Sequence, residues 1–170
     1  MMFKNRINTV IAGATGFVGL DLVKLLSKHP YVKIRHLCAQ KNIGKNINYF
    51  DKTLSKKLPK IERLEKVNWN KIDILFLSLP NGQAQKLINK LYFKYVHLKF
   101  IDLSADFRLK DHTLYKKHYK IVHSAKKLIN KSIYSISEFT KKEINKFRII
   151  SNPGCYPTSI QIPLMPLFKN

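Results

Sequence analysis

The sequence predicts an α/β protein, a parallel sheet with helices packed on both faces. Two observations carry this. A β-branched run, INTVIA at 7–12, leads through a glycine turn, GATGFVG at 13–19, into an amphipathic segment. Further apolar, strand-length runs return at 33–39, 71–80, 97–104 and 146–151, with helix-period segments between some of them. Parallel strands need long crossovers, usually helical, so strand–helix alternation marks a parallel sheet.

Each element has its own reason. Residues 7–12 are short, apolar and β-branched, as a buried strand requires. In DLVKLLSKH (21–29), Leu22, Leu25 and Leu26 fall at i, i+3 and i+4 on one helical face. Pro30 closes that helix, since it cannot donate to the ladder. KIRHLCA (33–39) is a second strand, whereas residues 40–70 are polar, lysine-rich and weakly patterned. KIDILFLSLP (71–80) is apolar on both faces, the pattern of a fully covered parallel strand. QAQKLINKLYF (83–93) is a helix with Ala84, Leu87, Ile88 and Leu91 in register. HLKFIDLS (97–104) is another strand, residues 105–146 mix loops and short helices, and KFRIIS (146–151) is the last strand. A helix is expected over 156–168.

In such sheets ligands sit beyond the C-terminal strand ends. The candidate segments all fall there: Gly13 to Gly19, Ala39 to Lys41, Leu79 to Gln83, Ser104 to Arg108, and Asn152 to Cys155. The glycine turn has the spacing G-x-x-G-x-x-G between strand and helix, a Rossmann-like phosphate turn. Gly13 makes the tight bend, Gly16 lets phosphate oxygens approach the backbone, and Gly19 allows helix and strand to pack closely. Thr15, Phe17 and Val18 stand in the glycine turn as further cofactor-binding candidates, ahead of a first helical turn whose free N–H groups suit a pyrophosphate. A structural strand–helix turn without a ligand is the alternative. An NAD-preferring site places an acid at the end of the second strand. CAQKNIGK (38–45) has none, so Gln40 and Lys41, with Lys45 as a third candidate, favour NADP through its 2′-phosphate.

There are two cysteines. Cys155 follows Pro-Gly and opens a helix, where the partial positive charge of the N-terminus favours a thiolate, the nucleophilic form. Cys38 ends a strand without such a turn and reads as structural. Two cysteines do not make a secreted disulfide scaffold. No signal-peptide layout opens the chain, and no apolar run reaches the ~18 residues of a membrane span. A cytoplasmic protein without a membrane partner is expected, and no metal site is predicted.

The net charge is +22 over 170 residues, which raises nucleic-acid binding as a rival function. Of the 32 basic residues only five are Arg, namely Arg6, Arg35, Arg63, Arg108 and Arg148. Phosphate readers lean on the bidentate Arg fork. Dispersed lysine with abundant Asn and Ile points to compositional drift instead, and disfavours a nucleic-acid partner.

The segments IAGATGFVGLDLVKLL, SLPNGQAQ, IDLSADFRL and SNPGCYPT, in this order, resemble the N-acetyl-γ-glutamyl-phosphate reductases of arginine biosynthesis. The resemblance implies NADPH-dependent reduction of N-acetylglutamyl 5-phosphate, a small-molecule substrate, to the 5-semialdehyde. Cys155 would be the nucleophile and form a thioester. Arg108 would hold an anionic group of the substrate; the plain alternative is an ion pair with Asp106. Ser104 and Asn152 would join Arg108 in binding the substrate, Ser104 by shaping the same loop; Asn152 and Tyr156 would flank the nucleophile, and Pro80, Asn81 and Gly82 would lie near the nicotinamide ribose.

The family is about twice as long as this chain and supplies a catalytic histidine after the cysteine. Here the six histidines, at 29, 36, 97, 112, 118 and 123, all precede Cys155. The expected organisation is therefore an NADP-binding domain over 1–151, with 152–170 carrying the cysteine turn and the start of a substrate domain otherwise missing. A helix at 156–168 without that domain would expose Ile160, Ile162, Leu164 and Leu167. Three readings stand: a reductase half completed by a separately encoded C-terminal half, a truncated NADP-binding remnant without activity, and a basic nucleic-acid-binding module. In the family a homo-oligomer is implied. Pro163 within the last helix and Ser135, where the family carries glycine, depart from the pattern.

Overall fold

A computed structural model describes residues 6–168. Seven strands form one sheet in the order β3-β2-β1-β4-β5-β7-β6, with all neighbours parallel. They are β1 (Ile7–Ala12), β2 (Val32–Cys38), β3 (Ile61–Glu62), β4 (Ile74–Leu77), β5 (Lys99–Asp102), β6 (Ser132–Tyr134) and β7 (Ile149–Ser151). The helices are α1 (Phe17–Ser27), α2 (Gln83–Tyr92), α3 (His112–Tyr119), α4 (Ser137–Thr140) and α5 (Cys155–Leu164).

The strands are apolar on both faces because both faces are covered. Val10, Ala12, Leu75, Leu77 and Phe100 pack with Ala84, Ile88 and Leu91 of α2. Residues of the other face, Ile11, Ile34, Leu37 and Phe76, pack with Ala14 of the glycine turn and with Leu20, Leu22, Val23 and Leu26 of α1. Strand alternation thus divides one continuous apolar run into two cores.

Three expectations need correction. The first helix begins at Phe17, four residues before the predicted start. Its buried face is Gly19 and Val23, with Leu20, Leu22 and Leu26 partly covered, while Leu25 is 70% exposed. The leucine count misled because Gly19, lacking a side chain, sets which face meets the sheet. Two short strands escaped the reading, β3 within 40–70 and β6 within 105–146. Strands of two and three residues at the sheet edges carry no periodicity to read.

Ser135 does not adopt a left-handed conformation; among described residues only Asn42 and Lys120 do so without being glycine. Pro163 lies inside α5, and the chain tightens into a 3₁₀ turn from Met165. Ile160, Ile162, Leu164 and Leu167 are exposed as expected, and Tyr156 joins them.

Candidate active site

Strand register brings the functional segments level. Ala12 pairs with Cys38 on one side and Leu77 on the other; Leu77 pairs with Asp102, and Asp102 with Ser151. The loops that follow these residues therefore open on one edge of the sheet. The strand order reverses between β1 and β4, the switch point at which such sheets bind dinucleotides.

A cleft of about 830 Å³ lies there. Gly13, Thr15, Gly16, Gln40, Lys41 and Pro80 line it, all anticipated from the sequence. Gly13 has φ +84°, and a Cβ on it would lie 1.9 Å from the Ser78 carbonyl oxygen. A Cβ on Gly19 would lie 2.1 Å from the Gly13 oxygen, so strand, turn and helix touch through backbone alone. Gly16 differs. It is exposed, and a Cβ there would meet only the Gly13 oxygen at 3.5 Å, an ordinary contact. Packing does not require glycine at 16; a ligand lying on the backbone would.

Phe17 and Val18 do not line the cleft, and the Phe17 side chain is 94% exposed. What they offer is main chain. α1 has no side-chain cap and no acid in its first turn, so its N-terminal field is not neutralised. A pyrophosphate fits that donor set.

The cleft also contains Arg63 and Glu65, which follow β3. Both come from the segment that the sequence left blank. Arg63 is exposed, and its guanidinium has no hydrogen bond or ion pair among the described residues. Arg63 and Lys41 thus share the end of the cleft that follows β2 and β3 with a carboxylate. Lys45 is not in the cleft; its ammonium sits 3.9 Å from the Tyr49 ring centroid. Cys38 lines the cleft, but the residue is buried. Burial, then Glu62 and Glu65, push its thiol up to about 12, so it is no nucleophile.

The cysteine turn lies further along the same edge. Gly154 caps α5, and Cys155 is its first residue and exposed. The N–H groups of Cys155 and Tyr156 have no partner among the described residues. Pro157 costs little in this turn, where an N–H would be unbonded anyway. Arg108 reaches the turn from the loop after β5. Its Nε donates to the Asn152 carbonyl at 2.9 Å and one Nη to the Leu103 carbonyl at 2.9 Å. The other Nη would lie 3.0 Å from a Cβ on Gly154. Arg108 forms no ion pair with Asp106. Its remaining N–H groups are therefore available one residue from Cys155.

Other anticipated residues have internal duties. The Ser104 hydroxyl is buried, donates to Asp102 at 2.6 Å and accepts from the Asp106 N–H at 3.2 Å. It fixes the loop rather than facing a ligand. Gly82 donates its N–H to Asp106 at 2.7 Å, and the Asn81 side-chain oxygen accepts from the Ala105 N–H at 3.2 Å. Asn152 is exposed, and its N–H donates to the Asp102 carbonyl at 2.8 Å. Asp102 is buried, with Oδ2 unpartnered. Burial pushes its carboxyl up to about 6, against the pull of the Ser104 hydrogen bonds.

His123 is buried among these loops. Its Nε2 lies 2.7 Å from the Asp106 carbonyl, and Nδ1 accepts from the Ala125 N–H. With both nitrogens committed and burial lowering its pKa, it is a structural neutral imidazole. Among the described residues no group of His, Cys, Asp and Glu could hold a metal, and no helix is long and apolar enough to cross a membrane.

Residues 8–147 match the family model for the semialdehyde dehydrogenase NAD-binding domain, which stops short of the cysteine turn. The N-acetyl-gamma-glutamyl-phosphate reductase of Ehrlichia canis is 40% identical over 96% of the chain, and a probable chloroplastic one from Oryza sativa is 36% identical over 96%. The chain spans about half the length of the first and 39% of the second. Aspartate semialdehyde dehydrogenase II of Vibrio cholerae shares the fold, with a TM-score of 0.69 at 20% identity, covering 96% of this chain and 43% of that one. The Candida albicans aspartate semialdehyde dehydrogenase solved with NADP has a TM-score of 0.62 at 20% identity, covering 96% and 47%. The matched residues take in the glycine turn and the whole cleft, and on that match the chain belongs to the semialdehyde dehydrogenase NAD-binding domain family.

Proposed function

We propose that the chain supplies the cofactor domain and the nucleophile of an NADPH-dependent N-acetylglutamyl-phosphate reductase. The observation that carries this is Cys155, exposed at the start of α5 with spare Arg108 N–H groups beside it, on the same sheet edge as the dinucleotide cleft. The relatives named as reductases of this substrate support it.

The residues divide the work as follows. Arg108 holds the phosphate of the acyl phosphate by its unspent N–H groups. The Cys155 thiolate attacks the acyl carbonyl, and the C–O bond to phosphate breaks, leaving a thioester on Sγ and free phosphate. The N–H groups of Cys155 and Tyr156 steady the oxyanion. A reduced nicotinamide held in the cleft by the glycine turn would supply the hydride that takes this thioester to the aldehyde and frees the Cys155 thiolate. Lys41 and Arg63 favour a 2′-phosphate, hence NADP, and Glu65 opposes it. Residues 152–170 begin the substrate domain in this reading. A second copy of the chain, or the relatives' remaining length, would cover the apolar face of α5. The cytoplasm is the proposed setting.

The test is NADP(H)-dependent reduction of N-acetylglutamyl phosphate by the chain, alone and with the second half of a relative, against Cys155→Ala. Cys155-dependent turnover supports the reductase. NADP binding without turnover in both mixtures would refute it.

A further inference from the structure

A buried carboxylate that the chemistry above leaves unused ties the cofactor cleft to the cysteine turn. Asp106 is fully buried. Its Oδ1 accepts from the Gly82 N–H at 2.7 Å and the Tyr115 hydroxyl at 2.6 Å, and Oδ2 from the Gln85 N–H at 2.9 Å. Gly82 is the N-cap of α2, and no side chain of its own segment caps that helix. Asp106 therefore caps α2 from another loop, placing a full negative charge against its positive end.

The cap is built. Gln85 donates from Nε2 to the Tyr115 hydroxyl at 3.1 Å, and its Oε1 accepts from the Ser124 N–H. The Asp106 carbonyl accepts from His123, and its N–H donates to Ser104. With both carboxylate oxygens of Asp106 bonded, a polar network of this kind favours one geometry over alternatives. It joins two loops of different duty. One is 78–83, which follows β4; Ser78, Leu79, Pro80 and Gln83 line the cleft on the side away from Lys41, where the second half of a dinucleotide lies. The other carries Arg108, two residues after Asp106, which bonds the cysteine turn. The Asn81–Ala105 hydrogen bond is a second tether between the same loops.

We infer that Asp106 is the positioning residue that sets the nicotinamide side of the cleft relative to the Arg108–Cys155 site, without itself touching cofactor or substrate. This rests on the cofactor reading above.

Asparagine at 106 keeps the shape but puts an amide N–H₂ against a backbone N–H. The test compares two probes by calorimetry on the full chain: NADPH, which fills both sides of the cleft, and adenosine 2′,5′-bisphosphate, which fills only the Lys41 side. Asp106→Asn is expected to weaken NADPH at least about tenfold, the worth of one hydrogen bond to a charged group, and the bisphosphate by less than about twofold. Tyr115→Phe, which keeps both backbone bonds, should weaken NADPH about threefold and spare the bisphosphate. Equal loss for both probes, or unchanged NADPH affinity, would overturn the inference, and Tyr115→Phe decides alone if Asp106→Asn does not fold. Wild-type chain binding neither probe would overturn the cofactor reading itself, and this inference with it.

Discussion

Replacing Arg108 by Lys should separate substrate capture from cofactor binding. The guanidinium spans two carbonyls, Asn152 and Leu103, each at 2.9 Å, and holds the Asn152 turn against the loop after β5. A lysine ammonium is a single point and reaches one of these carbonyls at most. Losing one hydrogen bond from a charged donor costs about 1.5–3 kcal/mol, and about 1–2 kcal/mol here because the residue is only half-buried. For a chain of this size that lowers Tm by about 2–8 °C. The lost bidentate grip on phosphate should raise the substrate concentration needed for Cys155 acylation by about tenfold or more. Arg108 does not line the cleft, so NADP affinity should be unchanged. Thermal unfolding, NADP titration and acylation rates against substrate concentration read the three effects. Unchanged acylation, or NADP affinity falling in step with it, would refute the assignment.

Other perturbations follow from the same geometry. Gly13→Ala forces a Cβ to 1.9 Å from the Ser78 oxygen at φ +84°; it should cost more than about 3 kcal/mol, lower Tm by about 6–12 °C and abolish NADP binding. Arg63→Gln and Lys41→Gln should each weaken NADP about tenfold and leave NAD unchanged, whereas Glu65→Gln should tighten NADP, all read by titration at fixed salt. Asp102, raised to about 6 by burial, favours the protonated folded state. Its contribution is complete below the unfolded value of about 3.9 and is lost as pH rises through about 6. Stability measured from pH 4 to pH 7 should therefore fall by about 2–3 kcal/mol through this group, and Asp102→Asn should remove that fall.

Much of this site was legible because its chemistry is local in sequence. The strand before Gly13, the helix after it and the turn before Cys155 each announce themselves within about ten residues. The long crossover segments were not legible. Arg63 and Glu65 reach the cleft only because two-residue β3 pairs with the end of β2, and nothing in residues 40–70 signals that pairing. Asp106 read as a possible partner for Arg108, two residues away. In the fold it faces Gly82, Gln85 and Tyr115, which no spacing rule connects to it. Leu25 failed for the opposite reason: its helical spacing was right, but Gly19 turns the helix toward the sheet by its missing side chain.

The most direct test of the account is acyl transfer to the cysteine. Phosphate is a good leaving group, so this step needs the thiolate and its donors but no hydride and no general acid. Intact-mass and peptide mapping after incubation with N-acetylglutamyl phosphate, with phosphate release measured in parallel, reads it on the chain alone. The account predicts an N-acetylglutamyl adduct on Cys155 with an equal amount of phosphate released, both absent in Cys155→Ala. No adduct on Cys155, or phosphate release that persists in Cys155→Ala, would contradict it.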